Sequence, residues 1–265
     1  MNLEPIDFSD LKRRVKIADE IKSLERYVDK IIIEGKENFD KIRDKQVVYL
    51  SNHLSHMDYI LYGYTFIKNS LPYPRFIAGV NLDFFPFNRF FPFKNWGACF
   101  IDRKKISMNG RYRREKKIEY LNGIDLAIKN FLLNGDSLLQ FPEGGRSYSG
   151  EVMEKIKTGI LSSILDIAKE RELYGVDIAI NYDKRVEEGF FDRLKKAHDK
   201  RNIFGKWEYY FWDFYAFFIK RPLLKNKGNA YMNFGKPYLI DFKNKKQFAD
   251  FLQNDIRKLY NEVQT

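Results

Sequence analysis

The chain repeats one local pattern: a short apolar run, a polar turn, then a longer stretch with helical spacing. Val47 to Ser51 is apolar and β-branched, which predicts a buried strand. It runs into Asn52-His53-Leu54-Ser55-His56-Met57-Asp58 and then into the uncharged Tyr59 to Ile67. Ser55 and Asp58 have capping-box spacing, with Asp where Glu or Gln is usual. This places Ser55 at a helix N-cap, Asp58 in the first turn and His53 in the loop before it. Strands are also predicted over Arg75 to Val80, Gly97 to Ile101, Ser137 to Phe141, Val176 to Tyr182 and Tyr231 to Phe234. Helical spacing covers Arg111 to Leu133, stopped by Gly135, then about Val152 to Arg171, and Gln247 to Val263. Strands alternating with helices predict an α/β fold, a central mixed sheet flanked by helices. Before it, Phe8, Leu11, Val15, Ala18, Ile21, Leu24, Val28 and Ile31 form one helical stripe. The expected layout is a single domain over 1–265: a helical extension (1–45), an α/β core (46–240) and a C-terminal helix (241–265). Asp183 to Lys227 reads as irregular, basic and aromatic.

Composition narrows the function classes. At 265 residues and 44% hydrophobic, the chain can bury a large core, which excludes a wholly disordered protein. Its single Cys, Cys99, permits no internal disulfide and suits a reducing compartment. Met1 to Arg14 has no apolar stretch of signal-peptide kind, and Tyr59 to Ile67 falls far short of the about 20 apolar residues of a spanning helix. A cytoplasmic protein is expected, with peripheral membrane attachment open. Lys plus Arg number 47 against 36 acidic residues, a net charge of +11. That charge admits nucleic acid, an anionic membrane surface, or a phosphorylated substrate or acidic carrier. The aromatic share is 17%, and Asp83 to Phe93 alone holds six Phe.

Two constellations could do chemistry. His53 in its loop and Asp58 one turn into the helix can fold onto each other, and a carboxylate-held His is a general base for a hydroxyl. The structural alternative is that Asp58 only caps its helix. Phe141-Pro142-Glu143-Gly144-Gly145-Arg146-Ser147 ends a strand with paired Gly, which can turn N–H groups toward an anion beside Arg146. It is neither a Walker loop nor a nucleophile elbow. A third stretch, Asp102-Arg103-Lys104-Lys105, could complete an anion pocket. No metal-ligand spacing is present, since His53 and His56 lie three apart with no second cluster.

In order and spacing these blocks resemble the glycerolipid acyltransferase family. The resemblance rests on His53 and Asp58, on Gly97 to Arg103 with its Gly-x-x-x-Ile-x-Arg pattern, and on Phe141 to Ser147. It covers roughly Val47 to Pro237. Ser55 to Tyr59, Ala78 to Leu82 and Glu143 to Ser147 are similar to the glycerol-3-phosphate acyltransferase branch; Asn52 and Phe141-Pro142 are similar to the lysophosphatidate acyltransferase branch. Two departures stand out: the fourth block, placed at Val176 to Ile180, lacks its usual Pro, and Tyr148 stands where the first branch often has a second Arg.

The resemblance implies a glycerolipid-acyltransferase-like fold and an O-acyltransferase of phospholipid synthesis. His53, oriented by Asp58, would deprotonate a hydroxyl of glycerol 3-phosphate that attacks an acyl thioester, acyl-CoA or acyl-acyl carrier protein. Lysophosphatidate is the alternative acceptor. Arg103, Glu143, Gly144, Gly145, Arg146 and Ser147 would bind the acceptor, with Lys157 as a further phosphate contact. No bound cofactor is expected. Phe84, Phe85 and Phe87 would line an acyl entrance or dip into lipid, and Trp212 and Phe214 would sit at headgroup level. A nucleic-acid-binding protein using the same basic and aromatic surface is the alternative from another class, and a catalytically silent lipid-binding relative is a third.

Overall fold

The predicted core strands assemble into one sheet. In the computed structural model, residues 24, 26–83, 93–106, 111–152, 154–200 and 203–263 are described. The strands are β1 (Ile31–Glu34), β2 (Val47–Ser51), β3 (Pro74–Gly79), β4 (Ala98–Ile101), β5 (Ser137–Gln140), β6 (Tyr174–Tyr182), β7 (Ala230–Phe234) and β8 (Tyr238–Leu239). Their order is β1-β7-β6-β2-β5-β3-β4, with β8 also on β6. From β6 through β4 all neighbours are parallel, while β7 and β8 run antiparallel to β6 and β1 runs parallel to β7. The sheet is therefore mixed and flanked by helices, as expected.

Two apolar layers follow from the strand period of two. Val47 and Tyr49 pack into one layer with helix α1 (Met57–Lys68), while Val48 and Leu50 pack into the other. That second layer holds α3 (Arg111–Leu133), α4 (Gly159–Ala168) and much of α8 (Lys245–Val263). Both faces of β2 are covered, so its five residues are all buried. Gly135, at φ 86°, follows α3 as the predicted stop.

Three expectations are corrected. The end of the predicted N-terminal helix, which was to run to Ile31 in the 1–45 extension, is replaced by turns after Arg26 and then by strand β1, because Ile31–Glu34 pairs along the edge of β7. Residues 1–23 lie outside the described residues. The helix predicted from about Val152 begins only at Gly159. The chain before it turns back to the β5 loop, where Lys157 N–H donates to Pro142 C=O at 2.8 Å. Asp183 to Lys227 is not irregular. It holds α5 (Phe191–Asp199), α6 (Ile203–Phe214), a π-helix (Tyr215–Lys220) and α7 (Arg221–Leu223). Aromatics are weak helix formers, but Phe190, Leu194 and Ala216 bury a separate cluster that favours a helical hairpin.

The fourth-block segment Val176 to Ile180 lies in β6, bonded to β2 on one side and β7 on the other.

β6 also carries a buried carboxyl away from the candidate site. Asp177 accepts from the Tyr238 hydroxyl at 2.8 Å. Burial, outweighing that bond and joined by Asp255, pushes its pKa well above the ordinary carboxylate range. A raised folded-state pKa gives stability that is full below the unfolded value and lost as pH rises through the folded one. Asp177→Asn should remove that loss. Its melting temperature should exceed wild type by an amount that grows as pH rises above about 4, at up to about 1.4 kcal/mol per pH unit until the folded-state pKa is reached. A difference that does not change with pH in thermal melts would refute this.

Candidate active site

β2 and β5 are adjacent and parallel, so the loops leaving their carboxyl ends meet. The β5 loop grips the β2 loop at one peptide. Glu143 Oε2 accepts the His53 backbone N–H at 3.0 Å, and Ser147 N–H donates to the His53 carbonyl at 2.7 Å. Gly144 at φ 70° turns this loop, and a Cβ there would lie 2.5 Å from Lys157 Cδ. On the other side Asn52 mimics a strand partner. Its side chain donates to Ile180 C=O at 2.9 Å and accepts Ile180 N–H at 2.8 Å. His53 is thus fixed from both neighbouring strands.

The His53 ring is equally constrained. Its Nδ1 lies 2.7 Å from Asp58 Oδ2. It stacks on Phe141 at 4.3 Å and meets Tyr59 edge-on at 5.3 Å. Asp58 is fully buried and does more than cap. It accepts Leu54 N–H at 2.8 Å, Ser55 N–H at 3.1 Å and the Tyr182 hydroxyl at 2.5 Å. The capping contacts sit around Ser55 as predicted, although regular helix starts at Met57. Three donors besides His53 favour a carboxylate, so Nδ1 carries the proton and Nε2 has the lone pair. Burial pushes the His53 pKa down, against Asp58 and with help from His56 and Arg146. A neutral imidazole with a free basic nitrogen at neutral pH is what a general base requires. Burial and the Asp58 charge push the Tyr182 phenol well up, so it stays a donor.

A second buried network adjoins the first. His56 Nδ1 lies 2.8 Å from Asp213 Oδ2 on α6, and His56 N–H donates to Glu187 Oε1 at 2.9 Å. The Ser55 hydroxyl donates to Glu187 Oε2 at 2.7 Å. Arg146 donates to Glu187 at 2.7 Å and to the Tyr209 hydroxyl, with Asp213 3.7 Å away. Burial opposes the Arg146 charge, yet Tyr209, Asp213 and Glu187 outweigh it and hold its pKa well up. Burial raises the Asp213 pKa, and His56 and Arg146 more than reverse this. The ligand atoms of His56, Glu187 and Asp213 lie within 4.8 Å of one another, a spacing a metal ion could bridge. The Arg146 guanidinium already supplies positive charge there and opposes a second cation.

Of the expected site residues, the fold gathers His53, Asp58, Glu143, Gly144, Gly145, Arg146 and Ser147. Glu143 holds the His53 backbone. Arg146, expected to bind the acceptor, is a buried tie between the loops and α6: it bonds Glu187 and Tyr209, with Asp213 close by. Lys157 is exposed beside the loop, its Nζ 3.4 Å from Gly144 C=O. Arg103 opens α2 (Arg103–Ile106) after β4, three strands from β2 or roughly 14 Å. Its side chain lies outside the described part of the structure, as do Phe84, Phe85 and Phe87. Burial pushes the Cys99 thiol up to about 11, which argues against a thiolate nucleophile.

Sequence reading missed Tyr182, Glu187, Asp213, Tyr209 and Arg185, whose guanidinium donates to Ser147 C=O at 3.1 Å. One signal was present. Asp213 stands between Trp212 and Phe214 in an aromatic helix, and a carboxylate in such a run points to a buried pair.

A family model described as acyltransferase matches residues 30–180, which include both loops. The chain belongs to the acyltransferase family. The glycerol-3-phosphate acyltransferase of Actinobacillus pleuropneumoniae serotype 5b (strain L20) is 31% identical over 214 residues, 77% of this chain and 23% of that one. That of Colwellia psychrerythraea (strain 34H / ATCC BAA-681) is 32% identical over 211 residues, 78% of this chain and 23% of the relative. The chain thus spans about a quarter of the length of these curated acyltransferases. Among solved structures, the 1-acyl-sn-glycerophosphate (LPA) acyltransferase PlsC from Thermotoga maritima superposes with a TM-score of 0.55 at 17% identity. The match covers 95% of this chain and 80% of that one, and shows the shared acyltransferase fold.

Proposed function

We propose that this chain transfers a fatty acyl group from an acyl thioester to a hydroxyl of glycerol 3-phosphate, with His53 as the general base. The observation that carries the reading is the His53–Asp58 pair, clamped by Glu143 and Ser147 where two parallel strands end. His53 Nε2 takes the hydroxyl proton as the oxygen attacks the thioester carbonyl. The C–S bond then breaks, and the imidazolium returns its proton to the departing thiolate. Asp58 stabilises the imidazolium between these steps. The acceptor is supported by the names of the curated relatives. With Arg146 enclosed, its phosphate falls to Lys157 and Arg103. The donor is acyl-CoA or acyl-acyl carrier protein, and the chain's net charge of +11 suits the anionic groups of either.

Both donors assayed for thiol release against glycerol 3-phosphate, dihydroxyacetone phosphate and lysophosphatidate test the assignment. Glycerol 3-phosphate should give the highest kcat/KM; a preference for lysophosphatidate would replace it with the second-position acceptor. The pH profile follows from His53. Its depressed pKa means the base is protonated, and activity lost, only as pH falls below the ordinary 6.5. The acid limb of kcat/KM should therefore lie below 6.5, and Asp58→Asn should move it lower while reducing the rate by roughly 10²–10⁴. A wild-type limb above 6.5 contradicts the assignment.

A further inference from the structure

Helix α6 turns one face to the buried network and the other to solvent. At 3.6 residues per turn, Phe204, Trp207 and Phe211 fall within about 60° of one another, with Tyr209 and Asp213 on the opposite side. Exposure follows this division: Phe204 is 77%, Trp207 70% and Phe211 57% exposed, against 1% for Asp213. Trp212 and Phe214, expected from sequence to meet lipid, are half-buried instead. Trp212 stacks on Phe190 at 5.5 Å, and Phe214 packs on the main core. Three large aromatics on one outward stripe form the kind of surface that marks an interaction site.

We propose that this face of α6 docks the protein on an anionic lipid bilayer. Trp and Phe beside Lys are the composition of a helix lying at the headgroup level. Exposed lysines lie on the neighbouring elements. Lys195 and Lys196 are exposed on α5, which packs against α6, and Lys225 is exposed just after α7. Charge complementarity selects the occupant. A second copy would bring these same lysines toward one another on a chain already at +11, whereas acidic lipid attracts them. The inward face of the same helix supplies Tyr209 and Asp213 to Arg146 and His56. Docking therefore sets the site's buried network about one helix diameter, ~10 Å, from the headgroups. The proposal deepens the acyl-transfer reading, whose amphipathic product would pass into that bilayer, but its measurement does not depend on catalysis.

The test is co-sedimentation with phosphatidylglycerol–phosphatidylcholine vesicles and with phosphatidylcholine alone. Wild type should pellet with the anionic vesicles and far less with the neutral ones. Brominated lipid should quench its Trp fluorescence. The triple variant Phe204→Ser, Trp207→Ser, Phe211→Ser should bind on the order of 100-fold more weakly and lose the quenching. Its thermal melt and its thiol release in vesicle-free buffer should stay at wild-type level, since these side chains face solvent. Triple-variant binding equal to wild type overturns the proposal. So does a wild-type dimer that the substitutions convert to monomer, which would give the face to a second copy. Docking without thiol release would leave the surface standing and sink the acyl-transfer reading; thiol release without docking does the reverse.

Discussion

His53→Ala should lower acyl transfer by roughly 10³–10⁴ while the protein stays folded. General-base removal alone costs about 10²–10⁴, and here the ring also holds a packed position between Phe141 and Tyr59. His53→Gln is the companion variant, because its amide can still donate to Asp58 and so keep the buried carboxylate paired. It should be as inactive as His53→Ala and more stable. His56→Ala is the contrast. His56 is bonded through Nδ1 to Asp213 in the second network, so its loss should lower stability and leave at least about a tenth of the rate. Comparable activity losses in the His53 and His56 variants would mean that the base has been misassigned.

Arg146→Ala should unfold the site more than it weakens substrate binding. Glu187 is 0% and Asp213 1% exposed, and Arg146 is the guanidinium between them. Deleting one partner of a buried ion pair leaves uncompensated charge and costs about 3–5 kcal/mol. For a chain of this size the melting temperature should fall by roughly 10 °C. Arg146→Met combined with Glu187→Gln should recover part of that loss, because both charges leave together. A residue that only bound phosphate would behave differently: Arg146→Ala would raise the KM for the acceptor and leave the melt unchanged. Calorimetry alongside steady-state kinetics separates the two.

The first of these sites was legible in sequence and the second was not, for a physical reason. His53 and Asp58 lie within one strand-to-helix junction, so spacing and capping chemistry fix their relation. Glu143 to Ser147 could be read as a strand-end loop. Its closeness to His53 follows from β2 and β5 being neighbours, an order that local periodicity does not encode. Glu187 and Asp213 reach His56 across separations of 131 and 157 residues. No local pattern records such a contact. Arg146 was read from its strand-end loop and its guanidinium fork, and the carboxylates that face it come from residues 41 and 67 positions away. The helical hairpin α5–α6 was missed because its aromatic content obscured the helical period.

The central claim is that His53 activates an acceptor hydroxyl against a thioester. Free-thiol release from an acyl thioester, followed with and without glycerol 3-phosphate, tests it most directly. The account predicts release by wild type that depends on the acceptor, yields one acylated glycerol phosphate per thiol, and disappears in His53→Gln. Release that is indifferent to glycerol 3-phosphate, or that survives in His53→Gln, would contradict it.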